Sequence, residues 1–104
     1  MAFHVEGLSL AREADSQMRH IGDYALLRDA LVAAEQAIRE FLFREFQPGM
    51  LPGALFSRYE DGGEVPYIFS DDGEVTMRLP GFNHLRYALS QCMEICGEQR
   101  WSLQ

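Results

Sequence analysis

A helical repeat of apolar residues over residues 23–46 constrains the fold more than any other part of this 104-residue chain. Apolar side chains recur there at intervals of three and four residues, the spacing that places them on one face of an α-helix. These residues are Tyr24, Leu27, Leu31, Ala34, Ile38, Phe41 and Leu42. Asp23 is a suitable N-cap, and Gln47, Pro48 and Gly49 end the helical pattern. The sequence therefore predicts one helix of about six turns with a core-facing side.

The same helix has a second apolar row on another side. The row consists of Leu26, Ala30, Ala33 and Ala37, at spacings of four, three and four. One explanation is that alanine, the best helix former, simply fills exposed positions. Val32 and Phe43, however, add apolar area beside the row. Because small residues flanked by larger apolar ones let a second helix approach closely, we expect a homodimer interface at this row and a contact of Phe43 with a protein partner.

Alternating apolar residues elsewhere predict β-structure. Residues 54–79 have a period of two, interrupted by turns rich in Asp and Gly at residues 61–63 and 71–73. Such turns between alternating runs are strong hairpin signals, so we expect an antiparallel β-meander of two to three strands, the first of them at residues 55–59. Phe3 and Val5 also alternate with polar residues and indicate either a terminal strand or an extended arm.

Two further helices complete the predicted fold. Residues 9–20 favour a short helix, and a C-terminal helix begins near Phe82 or Asn83, with Gly97 well placed to end it. The order of long helix, meander and C-terminal helix is typical of an α+β protein in two layers. At 104 residues the chain supports one core, and we expect a single α+β domain over residues 1–104.

Composition excludes several classes of function. Sixteen acidic residues against nine basic ones give a formal net charge of −7, and no run concentrates positive charge, so direct nucleic-acid binding is not expected. All nine basic residues are arginine, which excludes Schiff-base chemistry on lysine and a Walker-type phosphate lysine. The sequence shows no leader pattern and no apolar run of membrane-spanning length, so we expect a cytoplasmic protein without a membrane contact.

Candidate reactive residues are few. Cys92 and Cys96 have a spacing that two metal ligands on a helix could use, but no second ligand pair accompanies them, and both lie on the predicted apolar face. We expect buried thiols. The three histidines belong to no nucleophile motif, and the acidic turns are too short for a calcium loop. The sequence therefore predicts a non-enzymatic protein without a metal or a cofactor.

Trp101 is the aromatic residue of the short polar tail that follows the predicted C-terminal helix. One interpretation is that its side chain folds back onto the domain. The other is that it anchors a protein interface, because tryptophan is enriched at binding hot spots. Trp101 is therefore a second candidate, with Phe43, for a contact with a protein partner.

A resemblance to a known family rests on the chain length, the arginine-only basic residues and two segments, IGDYALLRDALVAAEQAIREFLF and LPGFNHLRYALSQCMEICG. On these features the whole chain resembles the QslA-type quorum-sensing antiactivators of pseudomonads. The resemblance implies a homodimeric cytoplasmic protein that binds the ligand-binding domain of a LuxR-type transcription activator, LasR. By blocking dimerisation of the activator, such a protein keeps it off DNA. The resemblance assigns no role to individual residues.

Two alternatives come from the residues alone. A small-ligand-binding α+β domain would place a pocket between sheet and helices, lined by Tyr67, Phe69, Met77 and Met93, although few polar groups converge there. A phage-type inhibitor of a nucleic-acid machine would act through the acidic turns, and its partner binding would depend strongly on salt.

Overall fold

Three strands pair in one antiparallel sheet in the computed structural model, which describes residues 2–10, 18–71 and 83–102, with side chains up to Gly97. The strands are β1 (Phe3–Ser9), β2 (Met18–Tyr24) and β3 (Glu64–Ser70). Their order across the sheet is β2-β1-β3, so that β1 lies between the other two. His4 on β1 is opposite Asp23 on β2 and Phe69 on β3.

Three helices account for most of the remaining described residues. They are α1 (Leu27–Glu45), α2 (Pro52–Gly62) and α3 (His84–Ser102). The N-terminal half of α1 packs on the sheet, whereas its C-terminal half packs with α2 and α3. The predicted fold class is confirmed: the described residues form a small α+β protein with a three-stranded antiparallel sheet, a long helix and a C-terminal helix.

Two apolar clusters form the core, one at each end of α1. The buried members of the sheet cluster are Val5, Ala30, Ala34 and Ile68. The buried members of the helical cluster are Ile38, Phe41, Leu42, Leu55, Tyr59, Ala88, Cys92, Ile95 and Cys96. Because α1 contributes to both clusters, it joins the sheet to the helical end of the molecule.

The long helix is shorter at its start than the sequence predicts. Asp23 and Tyr24 belong to β2, where Tyr24 is opposite Phe3, and α1 begins at Leu27. The N-cap position is Leu26, and no side chain caps it. Asp23 is therefore not the N-cap; pairing with β1 outweighs the helical period of the first residues. The predicted stop before Pro48 is confirmed, because α1 ends at Glu45.

The predicted first strand of the meander is a helix instead. Leu55 and Tyr59, four residues apart, are both buried on one face of α2, and Pro52 lies in the first turn, where a missing N–H costs nothing. The Asp61-Gly62 pair ends α2 and does not form a hairpin turn. The strand predicted at residues 65–69 is confirmed as β3. The next predicted strand lies outside the described residues.

The short helix predicted over residues 9–20 is also wrong where the structure describes it. Ser9 ends β1, and the residues from Met18 onward belong to β2. Asn83 is confirmed near the start of the C-terminal helix, where its Oδ1 accepts hydrogen bonds from the backbone N–H groups of Leu85 and Arg86. Gly97 does not end α3, which continues for five more residues, to Ser102.

Candidate functional site

The predicted interface row on α1 faces the interior of the protein. Ala30 is fully buried and Ala37 is 7% exposed, and Ala33 is partly buried against the sheet cluster. Leu26, at 47% exposure, is the one member of the row that is well exposed. The homodimer contact predicted at Ala30 and Ala37 is therefore wrong, because both side chains are buried inside the protein. The contact predicted at Leu26 and at the partly buried Ala33 stays a prediction.

Replacing Ala30 by leucine is expected to lower the free energy of unfolding by about 1–3 kcal/mol, because three added carbon atoms must fit against Val5 and Ile68. Urea unfolding at two protein concentrations measures this. Ala54→Leu, at an exposed position of α2, is the matched control and should leave stability within about 0.5 kcal/mol. A loss of stability that varied with protein concentration would place Ala30 at an interface after all.

Two large apolar side chains of α1 are exposed to solvent, on the surface turned away from the core. Val32 is 59% exposed and Phe43 is 49% exposed. They are eleven residues apart, about three helical turns, and thus lie on the same side of the helix, separated by about 16 Å. A groove of about 550 Å³ runs between them; we call it the α1 groove. It is lined by Val32, Glu35, Gln36, Arg39, Glu40, Phe43 and Tyr87.

Charged and aromatic groups alternate along the α1 groove. The guanidinium of Arg39 lies over the ring of Phe43, with its Cζ atom 5.5 Å from the ring centroid. Tyr87 reaches the groove from α3, and burial, with a smaller contribution from the charge of Glu35, raises the pKa of its phenol. The groove therefore has apolar ends, a mixed charge lining and one phenol; of its lining residues, Phe43, Tyr87 and Arg39 are of types enriched at protein interfaces.

A second exposed apolar row lies on α3. Leu85, Leu89 and Met93 follow one another at intervals of four residues, and all three are exposed. The sequence predicts Leu85 and Leu89 on the buried face together with Ala88, Cys92 and Cys96; only the latter three are buried. Trp101 lies in the last turn of α3, and its side chain is outside those described, so its predicted role stays a prediction.

The outer face of the sheet, opposite α1, carries a chain of polar contacts. We call it the histidine–carboxylate network; its members are His4, Glu6, His20, Asp23 and Asp71. His4 Nδ1 lies 2.6 Å from Asp23 Oδ1, and His4 Nε2 lies 2.8 Å from Asp71 Oδ1. His20 Nδ1 lies 2.9 Å from Glu6 Oε1, and His20 Nε2 lies 3.2 Å from Asp23 Oδ2. Each imidazole thus bridges two carboxylates.

A β-bulge brings the network together. Val5 is opposite Gly22 and Glu6 is opposite His20, so that β2 has one extra residue, Ile21, at this point. On a regular strand, side chains three residues apart point to opposite faces of the sheet. The extra residue shifts the alternation by one position, so that side chains three residues apart across the bulge point to the same face. His20 and Asp23 therefore both lie on the outer face, where they contact each other.

Sequence reasoning missed this network. The alternation of His4 and Glu6 on a short strand indicates that they share a face. The bulge that aligns His20 with Asp23 has no sequence signal, and Asp71 is 67 residues from His4. The contacts of both histidines therefore could not be derived from the residues alone.

Tyr59 and His84 form a second polar contact, at the edge of the helical cluster. The Tyr59 hydroxyl donates to the backbone carbonyl of Glu64 at 3.1 Å and lies 3.1 Å from His84 Nδ1. Because the hydroxyl has one proton, His84 Nδ1–H donates to it. Burial raises the pKa of Tyr59 and lowers that of His84. Both groups are therefore neutral near pH 7, and the contacts of Tyr59 join α2 to His84 of α3 and to the first residue of β3.

The cysteine pair is buried, as the sequence predicts. Cys92 and Cys96 lie in the helical cluster, and burial raises the pKa of the Cys92 thiol to about 11. A thiol with such a pKa is protonated near neutral pH and is a poor nucleophile and metal ligand. Among the described side chains no group of three or more His, Cys, Asp or Glu residues is arranged to hold a metal ion.

The alternative ligand pocket is not assembled by the residues that the structure describes. Tyr67 and Phe69 stack on each other at 6.4 Å between ring centroids. Alternation with Ile68, which is buried against α1, places them on the outer face of the sheet. Met93 is exposed on α3, which packs on α1 and α2. Met77 lies outside the described residues.

Comparisons with known proteins give no family for this chain. No family model, no curated protein and no solved structure matches it. None of the helices in the described part of the chain combines the length and the apolar composition needed to cross a membrane.

Proposed function

We propose that the protein is a non-enzymatic, protein-binding inhibitor that docks on its partner through the α1 groove. The observation that carries the proposal is the exposure of Val32 and Phe43 at the two ends of the groove, which Tyr87 of α3 borders. Large apolar side chains cluster on a protein surface where another protein covers them. A half-exposed phenylalanine at the rim of a groove is the kind of anchor that dominates interface energies.

The class of partner comes from the resemblance to quorum-sensing antiactivators. The longer of the two segments that carry it covers residues 21–43, which include α1 from its first residue, Leu27, to Phe43 and thus both ends of the groove. We accordingly assign the partner as the ligand-binding domain of a LuxR-type transcription activator such as LasR. The antiactivator would cover the dimerisation surface of that domain and so prevent DNA binding, in proportion to its concentration by mass action.

The homodimer stays a prediction with a narrower basis. Of the four residues first assigned to it, Ala30 and Ala37 are buried, Ala33 is partly buried and Leu26 is exposed. We propose that any self-association of the protein involves surface residues other than the buried Ala30 and Ala37. The mass of the protein in solution, measured by light scattering, decides this independently of activator binding.

Replacing Phe43 by serine is expected to weaken binding to the ligand-binding domain of a LuxR-type activator at least tenfold, because the variant loses an aromatic anchor of the contact. Titration calorimetry with the purified domain measures the affinity, and a DNA-binding assay of the full activator measures the inhibition. Phe43 is half exposed, so the variant should unfold at nearly the same urea concentration as the parent protein.

Leu51→Ser is the matched control, because Leu51 is a large, exposed apolar residue that does not line the groove. It should bind like the parent protein. Equal affinity of the Phe43 and Leu51 variants would contradict docking through the α1 groove. Absence of any binding by the parent protein would contradict the antiactivator assignment itself.

A further inference from the structure

The hydrogen bonds of the histidine–carboxylate network require a particular protonation state. A neutral imidazole has one N–H donor, and a carboxylate is an acceptor only. His4 has a carboxylate oxygen within 2.8 Å of each ring nitrogen, and His20 has one within 3.2 Å of each. Both histidines can therefore make both of their bonds only as imidazolium ions.

These bonds connect segments that are far apart in the chain. His4 and Glu6 belong to β1, and His20 and Asp23 belong to β2. Asp71 directly follows β3; its Oδ2 accepts a hydrogen bond from the backbone N–H of Ala2 at 2.7 Å. In return, the backbone N–H of Asp71 donates to the carbonyl of Ala2 at 3.1 Å. The network thus fastens one end of the sheet across all three described strands.

We propose that the histidine–carboxylate network is a pH-responsive clamp, closed while both imidazoles are charged and opened when they lose a proton. In the closed state two positive imidazolium groups balance two of the three carboxylates. In the open state the three carboxylates remain close together without a positive group between them. Each neutral imidazole then has one N–H group, which can donate to only one of its two carboxylates. Deprotonation therefore removes bonds and adds repulsion at the same end of the sheet.

The groups that face the two histidines determine the pH at which the clamp opens. Hydrogen bonds to Asp23 and then Asp71 raise the pKa of His4, and the hydrogen bond to Glu6 and the charge of Asp23 raise that of His20. On β3, Tyr67 is opposite Glu6 and Phe69 is opposite His4. The clamp is therefore fully closed below the ordinary histidine pKa of 6.5 and opens as pH rises through the raised values.

The carboxylates limit the clamp on the acid side. Hydrogen bonds from His4 lower the pKa of Asp23 and of Asp71 below the ordinary value of 3.8. Stability from these groups is thus present above pH 3.8 and is lost as pH falls through the lowered values. The clamp is closed between the two limits, in the mildly acidic range. All of these side chains are partly exposed to solvent, so added salt weakens the clamp.

Titration of the imidazole resonances by NMR between pH 5 and pH 9 tests the proposal on the unmodified protein. His4 and His20 are expected to titrate above pH 6.5, with both ring nitrogens protonated below their pKa. His84 is the internal control and is expected to titrate below 6.5, because burial lowers its pKa. Titration of His4 and His20 at or below 6.5 would overturn the clamp.

Three amide variants assign the partners. Asp71→Asn should lower the pKa of His4 and leave that of His20 almost unchanged, and Glu6→Gln should do the reverse. Asp23→Asn should lower both, because Asp23 contacts both rings. His84 should be unaffected in every variant. Unchanged pKa values of His4 and His20 in Asp23→Asn would show that the network does not form.

Opening of the clamp is measured by hydrogen exchange at the backbone N–H of Asp71, corrected for the intrinsic base catalysis of exchange. Its protection should decrease as pH rises from 6 to 9. In His4→Gln, which keeps only the titration of His20, protection should be lower and should depend less on pH than in the parent protein. If protection at Asp71 did not change with pH in the parent protein, the histidines would titrate without opening the clamp, and the proposal would fail.

Discussion

Replacing Ile38 by alanine is expected to lower the free energy of unfolding by about 2–5 kcal/mol. Ile38 is fully buried in the helical cluster and lies one turn after Ala34 of the sheet cluster. Its truncation leaves a cavity at the position where α1 joins the two halves of the core. Because small domains are stable by about 5–15 kcal/mol, this one change removes a large fraction of the total.

Urea or thermal unfolding followed by circular dichroism measures the effect of the Ile38 variant. Val32→Ala is the matched control, because it also shortens a β-branched residue of α1 but at a position that is 59% exposed. It should change stability by no more than about 0.5 kcal/mol. Equal losses for Ile38→Ala and Val32→Ala would contradict the assignment of the buried face of α1.

Replacing Gly63 by alanine is expected to lower the free energy of unfolding by about 1–3 kcal/mol, because the added methyl group has no space. An ideal Cβ atom at Gly63 would lie 2.5 Å from the backbone carbonyl oxygen of Tyr59 and would also overlap with its ring. Gly63 also donates its N–H to that carbonyl, at 2.8 Å, where α2 ends. A methyl group would push Tyr59 away from its position in the helical cluster. The hydrogen bond from the Tyr59 hydroxyl to the carbonyl of Glu64 would then be lost.

The preceding residue provides a control for Gly63→Ala. A Cβ atom at Gly62 would have no neighbour within 4 Å, and alanine favours the helical conformation that Gly62 already has. Gly62→Ala should therefore be neutral or slightly stabilising. The comparison requires only the two melting temperatures; a domain of this size shifts by about 4–8 °C per kcal/mol. A melting temperature for Gly63→Ala as high as that for Gly62→Ala would disprove the close contact with Tyr59.

The parts of the fold that sequence could predict are those with a long, uninterrupted period. The helical pattern of α1 correctly indicates buried positions at Ala34, Ile38, Phe41 and Leu42. The alternation of apolar and polar residues predicts β3. The apolar residues around Cys92 on α3 predict that its side chain is buried. In these segments local preference and tertiary packing favour the same structure.

Predictions fail where a short segment satisfies two patterns. Residues 55–59 alternate like a strand, but Leu55 and Tyr59 are also four residues apart, and burial against α1 and α3 selects the helix. Residues 18–24 are polar enough to suit a helix, yet pairing with β1 makes them a strand. From the sequence the alanine row of α1 is interpreted as a free surface, because the sequence does not show against which side of the helix the strands pack.

For this protein, the sequence by itself determined the fold class, the burial of Ala34, Ile38, Phe41 and Leu42 on α1 and the absence of a recognisable catalytic motif. Only the tertiary structure decided that Ala30 and Ala37 are core residues, that Val32 and Phe43 are the exposed apolar residues of α1, and that two histidines each bridge two carboxylates. Local periodicity is a property of neighbouring residues, whereas which side of a helix is covered depends on strand order. Which charges meet depends on a bulge and on contacts between residues as far apart as His4 and Asp71.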